Sequence, residues 1–483
     1  MRRRRTRRPA VALVCLCATA LLFTGCSGDD GKSAPTPPSP ARRDNGEVNR
    51  DDVNGDGHAD AVVNGWYKDP KPGGDWHNNR FVALAASDGP EPGKAFRLAE
   101  RYAEPDPRVT SSPISYDRST QFTGDLDDDG HADVVVHNLL SHPSGKPTPD
   151  QRIIWGGPDG PAGVTKLPAD VLPATAAGDF DGDGALDLLT LAEPGSQYDR
   201  RPQPATVLYG PLSRDGGVPR TTSSTDVGQQ GWVSVAHAVV GDFDGDGLDD
   251  LVTKSEYDEE DARFEDDDMP EDVLDAVSYR GTPQGLKPAG AVPGITNQAG
   301  SQVPGGKPVA AGDFDGDGHA DILAQVGFSE AVAVYGSGDG PGRGRAADDL
   351  GKLGAVSAVA VGDVNGDGYD DIATQSPGVD RRIGRVTVVL GGKDGLDAAR
   401  TVKIDRYAIG LGGSPEHEGD RDFFGWDLHI ADLDTDGRDE LLIGTFGFNK
   451  PRKDAGYWIL RGTKSGPSKT DHHFIKTKDF GES

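Results

Sequence analysis

Seven copies of one acidic loop constrain this chain more than any other feature. The third copy shows the pattern most clearly: Asp179, Asp181 and Asp183 stand at alternate positions, Gly184 follows, and Asp187 comes three residues later. Such a loop can place several oxygen ligands around one hard cation, and Ca²⁺ takes about six to eight of them. The pattern therefore predicts a calcium-binding loop, repeated to give about seven Ca²⁺ ions per chain.

The predicted side-chain ligands occupy the same four positions in every copy. In chain order they are Asp52, Asn54, Asp56 and Asp60; Asp125, Asp127, Asp129 and Asp133; Asp179, Asp181, Asp183 and Asp187; Asp242, Asp244, Asp246 and Asp250; Asp313, Asp315, Asp317 and Asp321; Asp363, Asn365, Asp367 and Asp371; Asp432, Asp434, Asp436 and Glu440. Two loops contain an asparagine and so have one carboxylate fewer, which predicts weaker metal binding there.

The residue two positions before the last ligand varies in type, so we expect only its backbone carbonyl to bind the ion. These residues are His58, His131, Ala185, Leu248, His319, Tyr369 and Arg438. The glycine after the third ligand is present in every copy, which predicts a positive φ that glycine adopts without steric cost.

The surroundings of the loops separate them from other calcium motifs. An EF-hand needs a glutamate at the twelfth position and flanking helices, whereas here the last acid is the ninth residue and apolar β-like runs such as Val134–Val136 follow. The calcium β-roll repeats directly, but these loops begin between 50 and 73 residues apart. We expect the ions to act as structural staples between strands rather than as catalysts.

A second repeat follows each loop and gives the same count. Strand-like runs that end in glycine turns, such as Val207–Gly210 and Val386–Gly392, also occur seven times. Each unit of about 62 residues then contains four short strands, which is typical of a propeller blade. The predicted fold class is all-β: a seven-bladed β-propeller over residues 48–483 with a calcium-binding loop in each blade.

The seventh copy carries a resemblance to FG-GAP/VCBS-type repeats, which build the β-propeller of integrin α-subunits. Phe424 and Gly425 precede its acidic loop, and the segment Gly444-Thr445-Phe446-Gly447 follows it. The resemblance implies a seven-bladed ring with calcium in its loops, and it favours a role in binding or adhesion.

The N-terminus predicts export. Residues 1–25 combine an arginine-rich start with a short apolar stretch, as in a signal peptide, and they end before Cys26 in a sequence similar to a bacterial lipobox. We expect Cys26 to carry lipid and residues 26–47, which are rich in proline, to form a disordered tether. The mature protein would then be extracellular and attached to the outer face of the cell membrane only through this lipid.

The acidic charge argues against nucleic acid as a partner. Removal of the six arginines in the signal segment changes the formal charge from −29 to −35, and seven Ca²⁺ ions would return it to about −21. The insert from Glu256 to Asp275 adds acidic residues, which we interpret as a solvated loop; an extra cation site or a dock for a basic partner is the alternative.

The connections between second and third strands would emerge on the side opposite the ions, and they contain the longest inserts: Gly65 to Arg80, His137 to Gln151 and Glu256 to Asp275. The insert from Gly65 to Arg80 holds candidate ligand-face residues for a sugar or peptide: Trp66, Tyr67, Trp76, His77 and Arg80.

The main hypothesis is a monomeric, non-catalytic binding or adhesion module for a protein or glycan. A glycan hydrolase or lyase that uses the propeller funnel and a purely structural envelope protein are the alternatives. Familiar hydrolase and phosphate-binding motifs are absent from the sequence.

Overall fold

Antiparallel strands flank the acidic loops. The computed structural model describes residues 51–68, 76–87, 89–98, 121–141, 147–168, 171–191, 203–228, 233–257, 276–295, 306–326, 329–353, 358–377, 382–417, 421–448 and 454–477. The predicted signal segment, the tether and Cys26 lie outside these ranges and stay predictions. No helix among the described residues is long and apolar enough to cross a membrane.

Seven antiparallel sheets make up the described part of the chain, which confirms the predicted seven-bladed propeller. In blades one to three the strands are β1 (Ala61–Lys68), β2 (Trp76–Ala86) and β3 (Gly89–Arg97); β4 (Gln121–Gly124), β5 (Asp133–Ser141), β6 (Pro147–Trp155) and β7 (Gly163–Lys166); β8 (Ala174–Gly178), β9 (Asp187–Leu191), β10 (Gln203–Tyr209) and β11 (Thr221–Val227).

The same order continues through the second half of the ring. Blades four and five contain β12 (Val233–Gly241), β13 (Asp250–Tyr257), β14 (Ala276–Arg280) and β15 (Lys287–Ala291); β16 (Lys307–Gly312), β17 (Asp321–Val326), β18 (Glu330–Val334) and β19 (Asp348–Lys352). Blades six and seven contain β20 (Val359–Gly362), β21 (Asp371–Pro377), β22 (Gly384–Val389) and β23 (Thr401–Asp405); β24 (Leu428–Ala431), β25 (Glu440–Thr445), β26 (Gly456–Leu460) and β27 (His472–Lys476).

Each blade is a meander in which strands that follow one another in sequence pair with one another. In blades two to seven, the acidic loop joins the first strand to the second, as in the segment between β4 and β5. In blade one, the loop leads directly into β1, and the residues before Asp51 lie outside the described ranges. Strands therefore stand where an EF-hand would have helices.

The core lies between neighbouring blades, because both faces of each sheet are covered. Phe314 and Leu323 of blade five, for example, pack with Ile372 and Val389 of blade six, and all four are fully buried. Equivalent clusters lie between every pair of neighbouring blades. Removing such side chains from water is the main source of stability in a fold of this kind.

The ring closes between blades seven and one. The segment His472–Lys476 forms β27 and pairs with β26 at the outside of blade seven. Closure involves apolar packing, in which Tyr457 and Ile459 contact residues of blade one such as Phe81. The main-chain N–H of Ala59 also donates to the carbonyl of Asp432, at 3.4 Å.

That last hydrogen bond belongs to a belt that runs around the whole ring. In each blade, the residue just before the last ligand donates its N–H to the carbonyl of the first ligand in the preceding blade, over 2.7–3.4 Å. The donor and acceptor residues are Ala59 and Asp432, Ala132 and Asp52, Leu186 and Asp125, Asp249 and Asp179, Ala320 and Asp242, Asp370 and Asp313, and Asp439 and Asp363. The acidic loops are therefore bonded to one another as well as to their own strands.

One position in this ring distinguishes the first blade from the others. The residue before the first ligand is small in six blades, namely Gly124, Gly178, Gly241, Gly312, Gly362 and Ala431, but it is Asp51 in blade one. The carboxylate of Asp51 accepts a hydrogen bond from the Thr123 hydroxyl at 2.6 Å. Its other oxygen lies 3.4 Å from Nε2 of His429. Asp51 thus contacts both neighbouring blades.

The glycine after the third strand is explained by close contact with two acidic loops. A Cβ added at Gly336 would lie 2.4 Å from the carbonyl oxygen of Ala320 and 3.0 Å from that of Phe243, which belongs to blade four. The Gly281, Gly391 and Gly462 positions are equally close to backbone carbonyls. The second repeat therefore ends in glycine because a side chain would separate neighbouring blades.

We expect Gly336→Ala to lower the free energy of unfolding by about 1–3 kcal/mol, since the backbone must move to admit the methyl group. Gly338→Ala is the matched control, because an added Cβ there meets nothing within 4 Å. Chemical denaturation of both variants checks this. Equal effects of the two substitutions would contradict the proposed crowding at Gly336.

Candidate metal centres

Backbone hydrogen bonds give the acidic loops their shape. In the third loop, the carboxylate of Asp179 accepts N–H groups from Gly182 at 2.7 Å, Asp183 at 3.1 Å and Gly184 at 2.9 Å. The first acid of every other loop likewise accepts from the residues four and five positions on. The carboxylate of the first acid therefore holds the backbone of its own loop in a turn, whether or not an ion is bound.

The third acid fixes the next turn. In every loop one of its oxygens accepts the N–H of the residue two positions on, as between Asp183 and Ala185 at 3.0 Å. The glycine between these two residues has a positive φ in all copies, from 81° at Gly437 to 92° at Gly184. This confirms the conformation predicted for that glycine.

Five loops bring three acidic groups together, with one oxygen from each lying within 4.8 Å of the others. The groups are Asp125, Asp127 and Asp133; Asp179, Asp181 and Asp187; Asp242, Asp244 and Asp246; Asp313, Asp315 and Asp321; Asp432, Asp434 and Glu440. Among the described residues, the first and sixth loops, which contain Asn54 and Asn365, do not gather three acids in this way. The five groups could each hold a metal ion.

The second ligand position supplies an independent test of whether the residues fit a cation. One oxygen of Asp181 and one of Asp315 are buried and accept no hydrogen bond. The side-chain amide of Asn365 is also without a hydrogen-bond partner, although the residue is only 3% exposed. A buried oxygen without a donor is costly, and a hard cation would satisfy it. The residues present therefore fit an oxygen-ligated metal.

The last acid has a second role that the sequence did not indicate. In the fifth loop, one oxygen of Asp321 accepts the N–H of Phe314 at 2.9 Å, and the other accepts that of Gly336 at 2.8 Å. The same double contact recurs at Asp60, Asp133, Asp187, Asp371 and Glu440. The last acid therefore ties the start of the loop to the turn after the third strand.

Burial raises the pKa of all seven of these last acids to about 8, because the loop removes their carboxyl groups from water. Hydrogen bonds from the backbone act in the opposite direction but do not outweigh the burial. A cation beside these carboxylates would favour their ionised form.

Three further acids stand just before the last ligand and were not recognised from the sequence. Asp249 donates its N–H to the carbonyl of Asp179 and accepts the N–H of Asp179 on its carboxylate, each at 2.8 Å. Asp370 and Asp439 make the same reciprocal pair with the preceding blade. The only sequence signal is a doubled acid at the end of loops four, six and seven, which gives no hint of a partner in another blade.

Arginines at the end of a third strand or in the turn after it form a second group that sequence reasoning missed. Arg220 lies 2.6 Å from Asp181 and 2.9 Å from Asp183. Equivalent ion pairs join Arg280 to Asp244 at 2.5 Å, Arg345 to Asp315 at 3.1 Å, Arg400 to Asp367 at 3.7 Å and Arg461 to Asp434 at 2.5 Å. Arg214 of blade three pairs with Asp127 and Asp129 of blade two. Six loops thus have an arginine on their second or third ligand.

The candidate ligand-face residues lie away from the acidic loops. The first insert is largely an extension of β1 and β2, whose register pairs Tyr67 with His77 and Lys68 with Trp76. The side chains of Trp66, Tyr67, Trp76 and His77 lie outside the described part of the structure. Arg80 has a buried side chain and pairs in register with Asn64, so its prediction as an exposed ligand-face residue is wrong.

The second insert, from His137 to Gln151, also begins and ends as strands. Residues 137–141 and 147–151 extend β5 and β6, and their register runs from His137 opposite Gln151 to Ser141 opposite Pro147. Glu256 and Tyr257 belong to β13, and residues 258–275 lie outside the described ranges. The prediction of a solvated acidic loop there remains a prediction.

The FG-GAP-like repeat family model matches residues 313–374, from the first ligand of the fifth loop into β21. The chain contains an FG-GAP-like repeat within a seven-bladed propeller. The matched segment contains one complete unit of the pattern that recurs around the ring: loop, second strand, third strand and fourth strand.

Three solved structures resemble the propeller. A mutant of AofleA from Arthrobotrys oligospora is 11% identical with a TM-score of 0.35, covering 71% of this chain and 83% of its own. The Dos1 propeller is 9% identical with a TM-score of 0.36, covering 86% and 79%. The rhamnogalacturonan lyase YesW is 13% identical with a TM-score of 0.29, covering 87% and 77%. A comparison with curated proteins gave no match.

The raised pKa values predict how the stability of the chelator-treated propeller depends on pH. Aspartates ionise near pH 4 in the unfolded chain, whereas the last acids of the folded loops ionise at about 8. The native state binds more protons between these values, so its stability falls as the pH rises. We expect a lower thermal midpoint at about pH 8 than at about pH 5.5. A midpoint that rises over this interval would contradict the prediction.

Proposed function

We propose that this FG-GAP-like propeller is a non-catalytic recognition module on the outer face of the cell membrane, and that its acidic loops bind Ca²⁺ as structural staples. The observation that carries the proposal is the placement of the loops. They meet in a closed belt at one end of the strands, while the long hairpins extend toward the other end. The loops at one end of the ring hold the blades together, whereas the hairpins at the other end differ in length and sequence from blade to blade.

The donor set supports calcium over other cations. The predicted ligands are carboxylate, amide and backbone carbonyl oxygens, whereas zinc and copper sites use histidine or cysteine. Mg²⁺ demands a near-ideal octahedron, while Ca²⁺ accepts irregular loops with more ligands. Three carboxylates within 4.8 Å of one another repel strongly unless a cation or a proton lies among them.

The chain's own residues would transmit the effect of the ion to the fold. The first acid shapes the loop, the last acid holds the third-strand turn, and the backbone between them bonds to the next blade. When bound, Ca²⁺ would supply positive charge and oxygen coordination at the centre of these contacts. Metal binding in each loop should therefore stabilise the joints between blades as well as the blade itself.

The hairpins of blades one and two support recognition at the opposite end. From Ala61 to Lys68, β1 spans about 23 Å, at about 3.3 Å per residue. Trp76 and His77 begin β2, so they lie far along the hairpin from the first loop. Aromatic residues and arginine dominate the energetics of many binding surfaces. The N-terminal sequence supplies the remaining support, since a lipid on Cys26 would hold the ring outside the cell.

The metal count tests the calcium proposal. We expect equilibrium dialysis of the full chain to give about seven bound Ca²⁺, and chelator to lower the thermal midpoint. Asp315→Ala should remove about one ion, because it deletes the buried oxygen that has no hydrogen-bond donor. Asp339→Ala is the control: it removes the same side chain and charge at an exposed turn outside the loops. Loss of an equal number of ions in both variants, or no binding by the parent protein, would contradict the proposal.

A polysaccharide array tests recognition. We expect the calcium-loaded full chain to bind a subset of immobilised glycans, and Trp76→Ala to weaken that binding by roughly tenfold or more, as at other aromatic hot spots. Tyr407→Ala removes an aromatic residue that is 49% exposed elsewhere and should have no effect. Cleavage of a bound glycan would show that the protein is an enzyme instead. Equal glycan binding by the two variants would exclude the hairpin as the binding site.

A further inference from the structure

The arginines beside the acidic loops are held in place by groups outside the loops. Nε of Arg220 donates to the carbonyl of Gly210 at 2.6 Å. The guanidinium of Arg345 lies 3.6 Å from the ring centroid of Tyr335 and donates to the carbonyl of Asp394 at 2.5 Å. Arg400 donates to the carbonyl of Gly391 at 2.8 Å. These contacts position the positive charge independently of the acids that it neutralises.

The arginines lie closer to the loops with four acidic ligands than to those with three. In each of the five loops with four acidic ligands, an arginine nitrogen lies no more than 3.1 Å from a carboxylate oxygen of a ligand. In the sixth loop, where Asn365 replaces an acid, Arg400 is farther away, at 3.7 Å. In the first loop, no arginine of the described residues pairs with the ligands; Lys94, which pairs with Glu91, also interacts electrostatically with Asp56, and the amide of Asn54 donates to Asp56 at 2.8 Å. The arginine thus offsets the additional carboxylate.

In loops three and five, the arginine and the candidate ion position use different oxygens of the same carboxylate. One oxygen of Asp181 pairs with Arg220 at 2.6 Å, and the other is the buried oxygen without a hydrogen bond. Asp315 divides its two oxygens in the same way between Arg345 and the interior of the loop. A cation in the loop would therefore share these carboxylates with the guanidinium, and the two positive charges would repel each other.

We propose that these arginines set the metal affinity of the loops: each stabilises its loop before an ion binds and weakens the binding of the ion. The inference rests on the proposed calcium binding. Loss of the arginine should strengthen ion binding, because backbone N–H groups already hold the first and third acids in place. Repulsion between the cations is then the main effect that is removed.

Calcium titration and thermal unfolding of the full chain test the inference. We expect Arg220→Gln to tighten one site on the order of fivefold, in line with the screened interaction of partly exposed charges. It should also lower the midpoint in chelator and thereby enlarge the shift caused by Ca²⁺. Arg220→Lys keeps the charge and should restore most of the parent behaviour.

Two further variants make the result specific. Arg343→Gln is the matched control, because Arg343 donates to the carbonyls of Ala289 and Ala291 and has no contact with an acidic loop. Its titration should equal that of the parent protein. A combined variant should tighten five sites while the first and sixth remain unchanged; its substitutions are R214Q, R220Q, R280Q, R345Q and R461Q.

The outcomes separate this inference from the function on which it rests. If the parent protein binds no Ca²⁺, both fail. If the parent protein binds Ca²⁺ but Arg220→Gln binds it equally or more weakly, only the role of the arginines is overturned. A fall in midpoint that is the same with chelator and with Ca²⁺ would show that Arg220 supports the fold without affecting the ion, and it would also overturn the inference.

Discussion

The main-chain hydrogen bonds between neighbouring acidic loops are the constraint on which the rest of the propeller depends. Each bond joins the end of one loop to the first ligand of the preceding one, so the blades can meet in this way only when the loops are correctly folded. The glycine turns then fit against the same loops, at distances that leave no room for a side chain. Folding a loop and joining two blades are therefore one structural event, and the apolar core between the sheets completes it.

Crowded carboxylates are an electrostatic problem that this fold addresses in three ways. Backbone N–H groups surround the first and last acids, arginines from nearby turns pair with the second and third, and burial favours the protonated form of the last. A bound cation would be a fourth way to stabilise these carboxylates. The first three are present in the amino-acid chain itself, which explains how so acidic a belt can have a defined shape.

The sequence predicted what is local and repeated. The loop spacing, the glycine with positive φ and the seven strand pairs are each contained within one unit, so the pattern revealed them. The partners of Asp249 and Arg214 could not be predicted, because each lies in another blade, 70 or more residues away along the chain. Trp66 and Tyr67 were expected in a loop, but the two-residue alternation that marks a half-buried strand is missing there, and backbone pairing alone extends β1. Arg80 looked like a surface residue only because its burial depends on tertiary packing.

Asp51 gives a nearly repetitive ring a defined starting point. Seven similar blades could in principle associate in the wrong order, or with blades from another copy of the chain, because their edges are alike. The contacts of Asp51 with Thr123 and His429 can form only where blade one lies between blades two and seven. In the other blades a glycine or alanine at this position provides no such distinction. The single carboxylate of Asp51 therefore specifies which blades become the neighbours of blade one when the ring closes.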